Sequence, residues 1–196
     1  MPKPYTPNDK WSQRAAKEGY RARSVYKLEE LDRKFKLIKP GMTIVDLGAA
    51  PGSWLQYINE KLKTESGKFK GRIIGVDLKE IEPIEGVETY VADITDAAAL
   101  SKILPGEVNL ILSDLAPNTS GVKDVDQWRS IELSEAVISI AKERLKPGGR
   151  CVLKVLRGAD FDEFIMTCKR EWKEVKTFIA EASRDRSKEI YVILKR

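Results

Sequence analysis

VDLGAAPGSW, residues 45–54, decides how the whole chain is read. The apolar run Thr43–Leu47 enters a glycine-bearing turn at 48–52, and Ser53–Leu62 leaves it with helical apolar spacing. Strand, tight loop and helix in that order open a doubly wound sheet, in which ligands sit outside the carboxyl ends of the strands. Gly48 and Gly52 let the backbone turn tightly and approach a ligand closely. The loop is not GxGxxG, because Ala50 takes the second glycine position and Pro51 follows it. A proline has no N–H to offer, so the loop is poorly made for a pyrophosphate and better suited to a ligand without phosphates.

Outward from this loop, short β-rich runs alternate with longer amphipathic ones, as in a parallel α/β sheet. Strands are expected at Thr43–Leu47, Arg72–Asp77, 88–91, Val108–Ser113 and 150–156, and helices at Ser53–Leu62, Ala97–Ile103 and 127–145. The last of these helices carries Ile131, Ile138, Ala141 and Leu145 on one stripe and stops at Lys146-Pro147-Gly148-Gly149. Asp160 is placed to cap a further helix, with Glu163 three residues on in a capping box. Phe161, Phe164, Ile165, Cys168 and Trp172 form the apolar face of that helix. Runs 174–182 and 189–194, joined by the polar stretch 183–188, read as an antiparallel hairpin. The expectation is an α/β fold with seven strands, mostly parallel with an antiparallel last strand, and helices on both faces.

Upstream, 24–35 reads as a helix with Val25, Leu28, Leu31 and Phe35 inward, and 1–23 as an arm that stays loosely ordered without a partner. Residues 1–40 carry eleven Lys/Arg against five Asp/Glu, whereas the remaining 156 are almost balanced, so the net charge of +5 is an N-terminal property. Such asymmetry fits either a surface for a polyanion or a solvated basic helix. The chain has no histidine, which removes Ser-His-Asp and Cys-His catalysis and the usual zinc sites. Cys151 and Cys168 stand seventeen apart without a CxxC pattern and read as small buried hydrophobes. No apolar run approaches the ~18 residues of a membrane span, and 1–10 lacks a signal-peptide core, so a cytoplasmic protein is expected. One domain over 1–196 is expected, with a basic segment and helix over 1–39 and a catalytic core over 40–196.

Two acids extend the reading of the loop. Asp77 ends the second strand twenty-five residues after Gly52, where a carboxylate accepts from ribose hydroxyls. Asp93 ends the third strand, placed for an adenine amine. A phosphate-free loop with ribose and adenine acceptors points to S-adenosylmethionine, with a nicotinamide dinucleotide as the weaker competitor for want of the third glycine. Four further residues draw together in this topology. Asp114 follows the fourth strand, and Lys154 interrupts an apolar strand, where a buried lysine is costly unless paired or functional. Glu189 opens the antiparallel strand and so lies at the same sheet edge, and Lys27 on the early helix reaches over it.

RARSVYKL (21–28), DLGAAPGSW (46–54), SDLAPNTSG (113–121), VLKVL (152–156) and SRDRSKEIYV (183–192) together resemble the FtsJ family of ribosomal RNA 2′-O-methyltransferases, over nearly the whole chain. The resemblance implies the Rossmann-like seven-stranded methyltransferase sheet and a catalytic tetrad of Lys27, Asp114, Lys154 and Glu189. It also implies S-adenosylmethionine contacts from Gly52, Trp54, Asp77, Asp93 and Asp114, to which the loop reading adds Gly48, Ala50 and Pro51. The stretch Ser53-Trp54-Leu55 departs from many members, which have glycine before the tryptophan and serine after it. The implied reaction is displacement at the sulfonium methyl by a ribose 2′-oxygen. Lys154 is the candidate base, and a lysine serves as base only in its neutral form. Lys27 and the sulfonium favour that form whereas Asp114 and Glu189 oppose it, so the carboxylates are open to a second role, orienting the lysine and the hydroxyl.

RNA contacts are expected from Lys10, Arg14, Lys17, Arg21 and Arg23, with Trp11 and Tyr20 to stack on bases, and from Arg157, Arg184, Arg186 and Lys188 at the catalytic edge. The implied partner is large-subunit ribosomal RNA, a uridine of the A-loop within the assembled subunit. The enzyme is expected to act as a monomer, without metal or membrane. A transfer-RNA anticodon-loop methyltransferase and a non-catalytic ribosome-assembly factor are the alternatives.

Overall fold

Apolar side chains that alternate between the two faces of each central strand organise the molecule. The computed structural model describes residues 9–63, 70–117, 123–184 and 187–196. In chain order its elements are α1 (Lys10–Glu18), α2 (Val25–Phe35), β1 (Thr43–Leu47), α3 (Ser53–Leu62), β2 (Arg72–Asp77), β3 (Val87–Val91) and α4 (Ala97–Ile103). There follow β4 (Val108–Ser113), α5 (Lys123–Arg144), β5 (Leu145–Leu156), α6 (Phe161–Glu171), β6 (Glu174–Phe178) and β7 (Glu189–Lys195). The seven strands form one sheet in the order β3-β2-β1-β4-β5-β7-β6. Pairs from β3 through β5 are parallel, and β7 runs antiparallel to both β5 and β6. The chain order reverses beside β1, which makes the carboxyl ends of β1 and β4 the switch point where such sheets bind ligands.

Successive residues of β1 point to opposite faces, so Val45 and Leu47 enter one core and Ile44 the other. On the first face Leu100 of α4, Val137 and Ala141 of α5 and Phe164 of α6 close over the sheet. On the second, Leu28 and Leu31 of α2 and Leu55 and Ile58 of α3 do so. Each such aliphatic side chain, fully buried, contributes about 1.5–3 kcal/mol. Gly75 of β2 lets α3 approach, since a Cβ there would stand 2.6 Å from Leu55 Cδ1.

Four local expectations are corrected. Residues 10–18 of the supposed loose arm form α1: the Asp9 carboxylate accepts from the N–H groups of Trp11 and Ser12, and Gly19 ends the helix at φ +81. Trp11 then packs on Tyr26 at 5.1 Å between ring centroids, so tertiary contact holds a helix too short to persist alone. The stop at Lys146–Gly149 is real, but α5 ends at Arg144 and those residues belong to an early part of β5. They bulge between Val108 and Leu110 of β4, and Gly148 and Gly149 bond to the backbone of Arg196. β6 ends at Phe178 because the N–H groups of Glu181 and Ala182 are captured by the Glu30 carboxylate on α2 rather than by β7. Asp160 occupies the N-cap position of α6 without a side-chain bond, since its backbone is already helical at φ −87°, ψ 0°.

Candidate active site

An open cleft of about 1090 Å³ lies at the carboxyl ends of β1, β2 and β4. Gly48, Ala50 and Pro51 form one wall, Asp77 and Asp93 a second, and Asp114 with Leu115 a third. Gly48 sits at φ +81, a conformation side chains resist, and donates its N–H to the Val76 carbonyl at 2.8 Å. The Asp77 carboxylate ties the loop down by accepting from the Ala50 N–H, 2.9 Å, and from the Lys79 N–H, 2.9 Å. Each carboxylate oxygen keeps a second lone pair for a ligand hydroxyl. Asp93 accepts from the backbone N–H and hydroxyl of Thr95, both 2.8 Å, and these bonds hold its carboxyl below the usual carboxylate range.

Gly52 and Trp54 stand outside the lining. A Cβ on Gly52 would meet the Arg21 guanidinium at 2.8 Å. Trp54 is buried, donates its indole N–H to the Ser24 carbonyl at 2.8 Å, and lies 6.1 Å from the Tyr191 ring. With the Ser24–Ser53 hydroxyl contact of 3.0 Å, it pins the start of α2, and hence Lys27, to the start of α3.

Lys27, Asp114, Lys154 and Glu189 come together beside the cleft, at the β5–β7 junction. Lys154, 7% exposed, donates to the Asp114 carbonyl at 2.7 Å and stands 3.1 Å from Asp114 Oδ1 and 3.8 Å from Glu189 Oε1. Lys27, 8% exposed, donates to Glu189 Oε2 at 2.7 Å and lies 3.9 Å from Asp114 Oδ1. Burial opposes ionisation of Glu189, but the ammonium groups of Lys27 and Lys154 outweigh it and hold the carboxyl below its ordinary range. Of the four, Asp114 lines the cleft itself.

Two residues that sequence reasoning left unassigned complete the site. Tyr191 pairs in register with Lys154, and its hydroxyl donates to Asp114 Oδ1 at 2.6 Å. Burial, then the Asp114 charge, drives its phenol well above the ordinary value. The signal was present: Tyr191 follows Glu189 by two residues and so shares its strand face. Asp46, 1% exposed, has both carboxylate oxygens buried without a hydrogen-bond partner. Burial, then the charges of Asp114 and Asp77, push its carboxyl well above the ordinary value. Its acid inside VDL was legible, but its lack of partners was not.

The expected RNA contacts divide. Arg21 donates to the carbonyls of Pro51, Glu82 and Pro83, and Arg23 donates to the Ala182 carbonyl and pairs with Asp9. Arg14 pairs with Glu18 at 2.8 Å and lies over the Tyr26 ring. Trp11 and Tyr20 are half-buried, and the Tyr20 hydroxyl donates to Glu60 at 2.6 Å. Lys10, Lys17, Arg157, Arg184 and Lys188 are exposed, and Arg186 lies outside the described residues. Among the described residues, no group of three or more Cys, Asp or Glu side chains is arranged to hold a metal ion, and no helix is long and apolar enough to cross a membrane.

A family model described as FtsJ-like methyltransferase matches residues 20–196, and the chain belongs to that family. Curated relatives named "Ribosomal RNA large subunit methyltransferase E" include one from Methanothrix thermoacetophila, 47% identical over 96% of this chain and 72% of its own. Another, from Methylobacillus flagellatus, is 46% identical over 95% of this chain and 89% of its own. A crystal structure described as a ribosomal RNA methyltransferase from Plasmodium falciparum superposes with a TM-score of 0.78 at 31% identity, covering 90% of this chain and 97% of the other. The chain is thus similar in sequence and in fold to methyltransferases.

Proposed function

We propose that this protein transfers a methyl group from S-adenosylmethionine to a ribose 2′-hydroxyl of large-subunit ribosomal RNA, at a uridine of the A-loop in the assembled subunit. One observation carries the reading: Lys154 is held 3.1 Å from a carboxylate that lines an open cleft of about 1090 Å³, with room for a nucleoside. The names of the relatives support the ribosomal substrate.

The residues present fit the cofactor. Six carboxylates and two cationic side chains line the cleft, which repels a pyrophosphate and favours a cation. The buried, unpartnered Asp46 carboxyl, which feels the charges of the cleft's Asp77 and Asp114, suits an ammonium group, and Asp77 and Asp93 suit ribose and adenine. When bound, the cofactor supplies an electrophilic methyl group on a sulfonium. Lys154 Nζ, aimed by the Asp114 carbonyl and carboxylate, would take the proton of the 2′-hydroxyl after giving up its own ammonium proton, since only the neutral amine is a base. Glu189 and Tyr191 fix the positions of Lys27 and Asp114, so the reacting oxygen meets a prearranged site. Arg21 and Arg23 hold the described N-terminal residues 9–39 on the 40–196 core, Arg14 ties α1 to α2 within them, and Lys10, Lys17, Arg157, Arg184 and Lys188 meet phosphates.

An assay with methyl-labelled cofactor, offering assembled large subunits, free ribosomal RNA and transfer RNA separately, tests the substrate. Label in the 2′-O-methyl nucleotide of the large subunit is expected, and label confined to transfer RNA overturns the reading. Lys154→Ala should lower single-turnover methylation by about 10²–10⁴-fold, the range of a general base, while calorimetry shows cofactor affinity largely kept. Undiminished turnover would remove Lys154 from the mechanism.

A further inference from the structure

A second concavity runs along α5 and meets the cleft at Glu135, which lines both. It is a groove of about 510 Å³ between α5 and α6, floored by Ile131, Ile138 and Phe164. Trp128 stands at its edge with 56% of its surface exposed. Lys142 and Glu171 bridge the two helices near their C-terminal ends at 2.8 Å. Neither the catalytic tetrad nor the exposed cations assigned to RNA border this groove.

Its charge is opposite to that of the RNA-facing surface. Glu135, Asp160, Glu163 and Glu171 line it against one cation, Lys142, which Glu171 already neutralises. Phosphates are repelled by such a rim, so ribosomal RNA is a poor occupant. A second copy of this chain would bring an N-terminal region that is basic but already folded onto its own core through Trp11, Arg21 and Arg23. An apolar floor, an exposed tryptophan and a carboxylate rim complement a helix with an apolar stripe and a cationic flank. We propose that the groove between α5 and α6 docks a lysine- and arginine-rich amphipathic segment of a protein partner. With the proposed substrate, that partner is a basic protein of the large ribosomal subunit standing beside the target RNA. This last identification rests on the proposed function, whereas the groove's chemistry does not.

Two measurements test the proposal on the full chain. The first uses a short fluorescein-labelled helical peptide with leucines at i, i+3, i+4 and i+7 and lysines elsewhere, and a control with glutamates for the lysines. Saturable binding of the lysine peptide is expected, weakened at least about tenfold by Trp128→Ala and by Glu163→Lys, with Glu163→Gln between. Equal affinity for the glutamate peptide, or binding unchanged by both variants, overturns the proposal whatever the enzyme's substrate. The second compares assembled large subunits with free ribosomal RNA. Glu163→Lys should raise KM for subunits several-fold, leave kcat unchanged and leave free-RNA affinity unchanged. If RNA covered the groove, the added cation would lower KM and tighten RNA binding. That outcome, or a concentration-dependent dimer broken by Trp128→Ala in sedimentation, overturns the protein partner.

Discussion

Asp46 and Glu189 are two carboxylates whose surroundings push them in opposite directions, and both have measurable consequences. Glu189 is held below the ordinary carboxylate range, because two ammonium groups overcome its burial. Its contribution to stability is therefore present above the unfolded value of about 4.3 and is lost as pH falls through the lower folded value. Chemical denaturation across pH 2–6 should show that acid loss in the natural chain, and Glu189→Gln should flatten it. Asp46 is raised well above the ordinary value, chiefly by burial. It therefore takes up a proton on folding, and stability declines as pH rises from its unfolded value of about 3.9 through the folded one. Asp46→Asn should leave the cofactor-free protein at least about 1 kcal/mol more stable at pH 8, some 2–4 °C in Tm, with the difference shrinking towards pH 4. The same substitution should weaken cofactor binding by titration. A variant that gained stability and kept full affinity would detach Asp46 from the cofactor.

Among the elements, α2 is the one that joins the tetrad to the segment before Arg184, on the surface proposed for RNA. Its first turn is pinned by Trp54, its Lys27 enters the tetrad, and its Glu30 accepts from the N–H groups of Glu181 and Ala182 at 2.7 and 2.9 Å. Removing that carboxylate strands the buried Ala182 N–H at a cost of about 1–3 kcal/mol, while the N–H of exposed Glu181 turns to water. Glu30→Ala should therefore lower Tm and loosen the segment that leads to Arg184, read as faster hydrogen exchange at 179–184. RNA affinity should fall more than cofactor affinity, and equal losses of both would place Glu30 in the general core instead. The α5–β5 junction shows the complementary case. The Ser130 hydroxyl accepts from the Leu156 N–H at 3.0 Å, and Gln127 accepts from the Ala159 N–H at 2.9 Å. These bonds hold the end of β5 just beyond Lys154.

Over the whole molecule, charge is sorted by task. Among the charged residues that line the cleft and the α5–α6 groove, carboxylates outnumber cations, while exposed Lys10 and Lys17 lie on α1 and exposed Arg157, Arg184 and Lys188 in loops near the tetrad. Phosphate contacts release counterions, so RNA affinity should fall steeply and linearly on a log–log plot against salt. Replacing Lys10, Lys17 and Arg157 by glutamine should shallow the slope by about one unit per lost contact, with cofactor binding unchanged. A flat response in the natural chain would deny the phosphate contacts.

How much of this was readable in one dimension follows from the range of each interaction. Strand alternation and helical spacing are local, so β1, α3, β2, α4, β4 and the β6–β7 hairpin were legible within a residue or a few, as was the order that places Asp77, Asp93 and Asp114 at strand ends. Lys154 stood out as a charge in an apolar strand. α1 was not read, because its short apolar face gains stability from packing on Tyr26, a contact between elements that spacing does not reveal. The same limit hid the bond from Tyr191 to Asp114, the bond from Trp54 to the start of α2, and those from Arg21 and Arg23 to carbonyls. Sequence by itself determined which residue types reach the sheet's carboxyl edge, because periodicity is a property of the backbone. Only the tertiary structure decided which of them touch, because hydrogen bonds and ion pairs over 3 Å join residues up to 162 positions apart.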